Sequence, residues 1–90
     1  IRVGRSDNIW GPYLDKEGQD MLEDGGTLFL GPEGKYIGPG HAGIVVTPEG
    51  DSIFTYHYYD GMDNGASKLA ARELMWDKQG WPVLLNHLID

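Results

Sequence analysis

The ninety-residue sequence contains no cysteine, which excludes disulfide bridges and cysteine-based zinc sites as a source of stability. It has no apolar run long enough to cross a bilayer. This segment also lacks the basic flank followed by an apolar core that would predict a signal peptide. Basic residues are few, because seven Lys and Arg stand against fourteen Asp and Glu, for a net charge of −7. This balance predicts no nucleic-acid partner and no membrane partner, since both select basic surfaces.

What the sequence has in quantity is turn-forming residues, with fourteen glycines and five prolines. Four tetrapeptides begin with turn formers and end in glycine: Asp15–Gly18, Gly31–Gly34, Thr47–Gly50 and Asp77–Gly80. This pattern is typical of a type I turn that a glycine at positive φ closes between antiparallel strands.

Three β-prone runs lie between these turns: 27–30, 41–47 and 52–60. In the third run large side chains alternate on both faces, so we expect this strand to be covered on both sides. The pattern as a whole predicts an antiparallel meander, which is the usual content of propeller blades, sandwiches and small barrels.

The run 66–77 has high helix propensity when taken alone. However, Leu69, Leu74 and Met75 do not form a helical stripe, and the run leads into the turn at Asp77–Gly80. The local sequence therefore leaves helix and strand open.

Three stretches resemble the arabinanases of glycoside hydrolase family 43, the arabinan endo-1,5-α-L-arabinosidases, in the order and approximate spacing of that family. They are Val3–Ser6 with Gly11–Asp15 and Gly25–Leu28, then Ile37–His41, then Tyr56–Asp60 with Leu69–Trp76 and Asp77–Val83. The resemblance covers residues 1–85 and corresponds to the C-terminal part of such an enzyme.

This resemblance implies an all-β fold, the C-terminal part of a five-bladed β-propeller with four-stranded antiparallel blades. Residues 1–30 would end the penultimate blade, 37–85 would form the last blade, and 86–90 would be a tail, with 66–77 extended. Blades of this kind take about 40–50 residues each, so the remaining N-terminal blades of a parent protein are expected partners.

For the parent protein, the resemblance implies cleavage of arabinan, or of a related arabinose-containing polysaccharide or oligosaccharide, by inversion of configuration. The family places its three catalytic carboxylates on earlier blades, so we expect no catalytic residue in this chain and no activity of the segment alone. The family also implies an extracellular or periplasmic location. The alternative is a non-catalytic carbohydrate-binding or structural β-domain.

The resemblance further implies that His41 is a metal ligand that points into the propeller channel and helps hold one calcium ion. Calcium prefers oxygen ligands, so water would fill most of its coordination shell. The alternative is an ordinary hydrogen-bonded histidine at the start of a strand. Tyr36, just before this strand, is the candidate substrate-binding residue at the rim.

Other residues receive structural interpretations. His57 alternates with bulky neighbours, which predicts a buried histidine with its hydrogen bonds satisfied. The Asp60–Gly65 segment fails the EF-hand pattern and is interpreted as a surface loop. Tyr56, Trp76 and Trp81 are expected in the core.

Overall fold

The computed structural model describes residues 1–89 and divides the chain into two compact units, Ile1–Leu30 and a second that starts at Gly31. Six strands follow one another: β1 (Arg2–Val3), β2 (Thr27–Leu28), β3 (Tyr36–Val46), β4 (Ser52–Asp60), β5 (Ala66–Trp76) and β6 (Pro82–Ile89). None of the described residues forms a helix long and apolar enough to span a membrane.

In the first unit β1 and β2 pair antiparallel, and the Asp15 carboxylate ties together the loop between them. Its Oδ1 accepts hydrogen bonds from the backbone N–H of Glu17 and of Gln19, each at 2.9 Å, and its Oδ2 accepts one from Gly26 at 2.9 Å. These bonds, that of Gly26 first, hold the pKa of Asp15 below its ordinary value, because they stabilise the charged form.

The same unit contains a single turn of 3₁₀ helix at Met21–Glu23. Asp20 caps this turn by accepting a hydrogen bond from the Leu22 N–H at 2.9 Å, as capping aspartates do. The sequence pattern predicts only strands and turns, so this element was not expected.

The second unit is one four-stranded antiparallel sheet in the order β3-β4-β5-β6. Three short connections join successive strands. In two of them the glycine N–H closes the turn, from Gly50 to the Thr47 carbonyl at 2.9 Å and from Gly80 to the Asp77 carbonyl at 3.0 Å. The final glycines Gly18, Gly50 and Gly80 have positive φ and their N–H groups close the predicted turns, so the prediction is confirmed at these three tetrapeptides. At the fourth it is wrong in position, because Gly34 lies inside a turn formed by residues 33–36.

Residues 66–76 form β5, which confirms the strand interpretation against local helix propensity. Nine consecutive residues of β5 pair with β4, from Asp60↔Ala66 to Ser52↔Leu74. In this register Ala70 lies opposite Tyr56, and both are almost completely buried. A small residue beside a large one lets the face pack densely, and tertiary packing outweighs a propensity of a few tenths of a kcal/mol per residue.

Most of the core lies on one face of the sheet, although Ala71, which pairs with Thr55, is buried on the other. Phe54, Tyr56 and Tyr58 alternate on β4 and are all buried, whereas His57 and Tyr59 on the opposite face are exposed. The expectation that β4 is covered on both sides is therefore wrong for the described chain, because the large side chains of His57 and Tyr59 on the second face are exposed.

Two of the three predicted core aromatics are buried, Tyr56 at 1% and Trp81 at 8% exposure. Trp76 is 56% exposed, so the prediction for this residue is wrong. It is the last residue of β5 and pairs with Pro82 beside the turn, where the sheet ends and gives little cover.

The last strand is longer than expected. Residues 86–89, predicted as a tail, continue β6, and His87 pairs with Arg72. The pairing of β6 with β5 has two register shifts, and at each of them β6 carries one extra residue. Asp90, the final residue of the predicted tail, lies outside the described residues.

Candidate functional site

Strand β3 carries two irregularities, and they surround the predicted metal ligand. Between the pairs Ile37↔Tyr59 and Gly40↔His57, two residues of β3 oppose one residue of β4. The same excess recurs between Gly40↔His57 and Gly43↔Thr55, where His41 and Ala42 together oppose Tyr56. Such bulges bend a strand and re-aim its side chains, and they are frequent beside functional sites.

The sequence around the first bulge explains its form. Gly38 adopts a φ of +59°, which glycine tolerates without cost, and Pro39 has no N–H to donate to the ladder. The Gly-Pro-Gly segment therefore interrupts the pairing at Pro39, the one residue of the three that has no N–H to leave unpaired. His41 follows this segment directly.

His41 has a φ of +55°, one of three non-glycine residues at positive φ among the described residues. This left-handed conformation costs a non-glycine residue on the order of 1–2 kcal/mol. A glycine would adopt it freely, and glycines flank the position at Gly40 and Gly43. The sequence therefore has a histidine at a position whose backbone conformation favours glycine. Such strained residues are frequent at functional sites.

The structure brings a second histidine to the first. The ring centroids of His41 and His57 are 5.2 Å apart, with an angle of 55° between the ring planes. Both residues are exposed. The prediction of a buried His57 is wrong, because the side chain belongs to the uncovered face of β4.

The two imidazoles line a surface cavity of about 420 Å³. Gly38 and Gly40 contribute its wall from β3, Tyr59 lies beside His57 on β4, and Ser67 lies opposite Tyr59 on β5. The cavity therefore combines two nitrogen donors, a hydroxyl, an aromatic ring and glycine backbone, which are groups that can bind a hydrated ion or a polar ligand.

The fit of this cavity to calcium depends on water. Among residues 1–89 no group of three or more His, Asp or Glu side chains stands close enough to hold a metal ion. Calcium requires six to eight ligands, most of them oxygen. A water occupies roughly 30 Å³ of liquid, so the cavity volume admits the hydration shell that a calcium ion held by His41 would need.

Tyr36, the predicted substrate contact, is half-buried at the start of β3. Its ring centroid lies 4.7 Å from that of Tyr58 and 5.0 Å from that of His87, and the Lys35 ammonium is 5.3 Å from the ring centre. The ring thus packs against several neighbours, and it does not line the cavity of His41.

The structure also shows an ion pair that the sequence reading missed. The surface loop predicted at Asp60–Gly65 is present as a series of turns, but its first residue, Asp60, is buried. The Asp60 carboxylate accepts a hydrogen bond from Lys68 Nζ at 2.8 Å and one from the Met62 N–H at 2.8 Å. Once β4 and β5 are assigned as a hairpin, their register gives this proximity.

A second cavity, of about 580 Å³, lies at the ends of the strands, along the turn at Thr47–Gly50 and beside Trp76. Its lining contains apolar residues such as Met75 and Leu88, and two carboxylates, Asp51 and Glu73, with no imidazole or basic group. The cavity of the two histidines is smaller but chemically richer, so it is the better candidate.

Comparison with known proteins fixes the context of this site. The family model described as glycosyl hydrolases family 43 matches residues 1–82. The extracellular exo-α-(1→5)-L-arabinofuranosidase of Cellvibrio japonicus is 41% identical over 98% of this chain. The extracellular endo-α-(1→5)-L-arabinanase 1 of Bacillus subtilis is 45% identical over 91% of it. The chain spans about a quarter of the length of these relatives, 25% and 24%.

A solved structure has a similar fold over most of this chain. The α-L-arabinanase of Cellvibrio cellulosa in complex with arabinohexaose matches 91% of this chain at a TM-score of 0.83 and 39% identity, and the match covers 26% of that protein. The likeness and the four-stranded antiparallel sheet confirm the predicted fold class, part of a five-bladed β-propeller. By sequence and by fold, this chain belongs to glycosyl hydrolase family 43.

Proposed function

We propose that the protein containing this chain hydrolyses α-1,5-linked arabinan, or a related arabinose-containing polysaccharide, with inversion of configuration. The observation that carries the proposal is the match of nine-tenths or more of the chain to relatives named for α-(1→5)-arabinan chemistry. The arabinohexaose complex of a structural relative supports an oligosaccharide substrate. The names of two relatives as extracellular enzymes support an extracellular location.

Inverting hydrolysis requires two carboxyl groups about 6.5–9.5 Å apart, one that protonates the leaving oxygen and one that activates water. We assign these groups to the blades that precede this segment in the relatives. The chain itself supplies one wall of the cleft and the cavity that His41 lines.

We further propose that His41 helps to hold one cation, calcium by family resemblance, with water as the other ligands. The imidazole must be neutral for this role, because a protonated imidazole has no lone pair to give. The cation, when bound, supplies a positive field near the reacting carboxylates. The unfavourable φ of His41 supports a role for this imidazole.

Tyr36 remains our candidate for a substrate contact from this chain, through its hydroxyl group, since its ring faces already pack against Tyr58 and His87. Tyr36→Phe in the full-length protein should then raise KM for arabino-oligosaccharides with little change in melting temperature. If the Phe variant keeps the wild-type KM and only Tyr36→Ala weakens the protein, Tyr36 has a packing role alone.

The experiment that tests the proposed function is hydrolysis of debranched arabinan by the purified full-length protein, with the anomeric form of the first product followed by proton NMR. We expect release of arabinose or arabino-oligosaccharides of inverted configuration. Xylan and cellulose serve as control substrates. Binding of arabinan without hydrolysis would contradict the enzyme proposal and would favour a non-catalytic carbohydrate-binding domain.

A further inference from the structure

We propose that His57 is a second protein ligand beside His41, so that the cavity presents a two-imidazole site for late first-row divalent cations. Nickel, copper and zinc ions should bind there more tightly than calcium. The inference rests on the proposed cation site of His41, and adds to it a residue and an order of metal preference.

The first support is the position of the two rings. At a centroid separation of 5.2 Å, a nitrogen of each imidazole can lie within about 2.0–2.1 Å of one shared ion after small rotations of the side chains. The tilt of 55° between the planes excludes close parallel stacking as the reason for their proximity. Both side chains are exposed, so rotation and ion entry are unobstructed by the described residues.

The second support is the backbone. The pair Gly40↔His57 lies between the two bulges of β3, and the second bulge places His41 next to this pair. The left-handed φ of +55° at His41 persists only because the surrounding strand pairing holds it. The strained residue therefore follows directly after the residue that pairs with His57.

The third support is the donor chemistry. Imidazole nitrogen is a preferred ligand of zinc, copper and nickel, whereas calcium selects oxygen. The other polar groups of the cavity are the Ser67 hydroxyl, the Tyr59 phenol and backbone atoms, and the part of the chain that the structure describes places no carboxylate in the lining. Two nitrogen donors without a carboxylate favour transition ions over calcium, with water or a ligand hydroxyl in the remaining positions.

The chain offers a matched control in its third histidine. His87 is exposed like His41 and His57, but its ring stacks on Tyr36 at 5.0 Å and is not part of the cavity. His87→Gln therefore removes one surface imidazole of the same kind without touching the proposed site.

The test uses the full-length protein, stripped with chelator, and four forms: wild type, His41→Gln, His57→Gln and His87→Gln. Nickel and calcium affinities are measured by titration calorimetry, and the electron paramagnetic resonance of bound copper gives the number of coordinated imidazoles. Wild type and His87→Gln should show two nitrogens, and His41→Gln and His57→Gln should show one. We expect His57→Gln to weaken nickel binding at least about tenfold, the lower end of losses seen when groups around a metal site are removed.

The outcomes separate the two proposals. If His41→Gln loses an imidazole and His57→Gln matches wild type, the site of His41 stands and the role of His57 is overturned. If neither variant changes copper, nickel or calcium binding, both are overturned. Should His57→Gln fail to fold, the wild-type nitrogen count and the His57→Asn variant decide, and a single nitrogen in wild type refutes the two-imidazole site.

Discussion

The Asp60 carboxylate and the Lys68 ammonium are 2.8 Å apart across the hairpin that joins β4 to β5. Asp60 is 3% exposed, and its other oxygen accepts the Met62 N–H, so the carboxylate fixes both the strand pair and the loop. Lys68 also lies 3.1 Å from Asp63, whose side chain is 59% exposed. Lys68 thus has one buried partner, Asp60, and one exposed partner, Asp63, so the strengths of the two ion pairs can be compared.

We expect Asp60→Asn to lower the melting temperature at neutral pH more than Asp63→Asn does. The buried position desolvates Asp60 and makes its interaction with Lys68 stronger, whereas water screens the exposed pair with Asp63. Thermal unfolding of the full-length protein followed by circular dichroism measures the difference. Equal effects of the two substitutions would show that the burial of Asp60 adds nothing.

The same pair predicts a dependence on pH. The hydrogen bond from Lys68, and then that from Met62, hold the pKa of Asp60 below its ordinary value of 3.8. Its contribution to stability is therefore complete above pH 3.8 and is lost as the pH falls through the lower folded value. Asp60, and then Asp63, raise the pKa of Lys68 above 10.5, so the lysine contributes below that pH and ceases to contribute as the pH rises through its folded value.

The difference in melting temperature between wild type and Asp60→Asn should accordingly be largest on the plateau between these limits. It should shrink on acidification below pH 3.8 and on alkalinisation above pH 10.5. A difference that stays constant down to pH 2 would contradict the lowered pKa of the carboxylate.

Two substitutions of His41 distinguish the effect of its backbone strain from the effect of its imidazole. His41→Gly relieves the left-handed backbone, whereas His41→Ala retains it, so the Gly variant should be more stable by about 1 kcal/mol. Chemical denaturation of both variants measures this difference. If His41 holds the cation, both variants should lose the rise in melting temperature that added metal gives to wild type. An Ala variant as stable as the Gly variant would show that the backbone relaxes at this position.

Tyr58 and Tyr56 differ in the partners of their hydroxyl groups. The Tyr58 hydroxyl is buried and has no hydrogen-bond partner among the described residues. Burial raises the pKa of the Tyr56 hydroxyl, and the nearby Arg72 guanidinium opposes this rise, so this hydroxyl has a charged group close by. Removal of an unsatisfied buried hydroxyl costs nothing or stabilises, and removal of one that interacts with a partner costs about 1 kcal/mol. Tyr58→Phe should thus leave the free energy of unfolding unchanged or raised, and Tyr56→Phe should lower it. The reverse order would point to a partner for Tyr58 outside the described residues.

We expect alanine to be tolerated at one glycine of β3, Gly40, and to destabilise the protein at another, Gly43. A Cβ at Gly43 would lie 2.7 Å from Thr55 Oγ1, whereas one at Gly40 would meet nothing within 4 Å. Gly43→Ala should destabilise by about 1–3 kcal/mol, the usual cost of overpacking, and Gly40→Ala should be neutral. Denaturant titration of both variants checks this. A neutral Gly43→Ala would show that Thr55 turns aside without loss.

The local sequence predicts three of the four tetrapeptide turns, because each of these three is closed by a glycine within four residues. It cannot decide β5, since the helix propensity of 66–76 is overridden by pairing with residues distant in the sequence. Family resemblance supplied that assignment. The predicted burial of Trp76 and His57 is wrong, because burial depends on which face of a sheet is covered. Alternation along one strand does not reveal which face that is.

The candidate site also has residues that the sequence could predict and residues that it could not. His41 could be named from the Gly-Pro-Gly-His segment through resemblance, and the bulges that aim it follow from the same residues. Its neighbour His57 could not be found, because their contact depends on a strand register with two irregularities. The Asp60–Lys68 pair could have been found, since a hairpin with its loop at 61–65 brings these residues near the same end.

The position of β6 has a consequence for handling this polypeptide. It is the last strand in the sheet order, and from Val83 to Ile89 it carries no Lys, Arg, Asp or Glu. Leu85, Leu88 and Ile89 are 41%, 47% and 51% exposed. An uncharged apolar edge strand is a template for pairing with another chain, and lysine or proline within such strands is the usual safeguard. The isolated segment should therefore self-associate through β6, and a lysine at Leu88 is the substitution expected to keep it in solution.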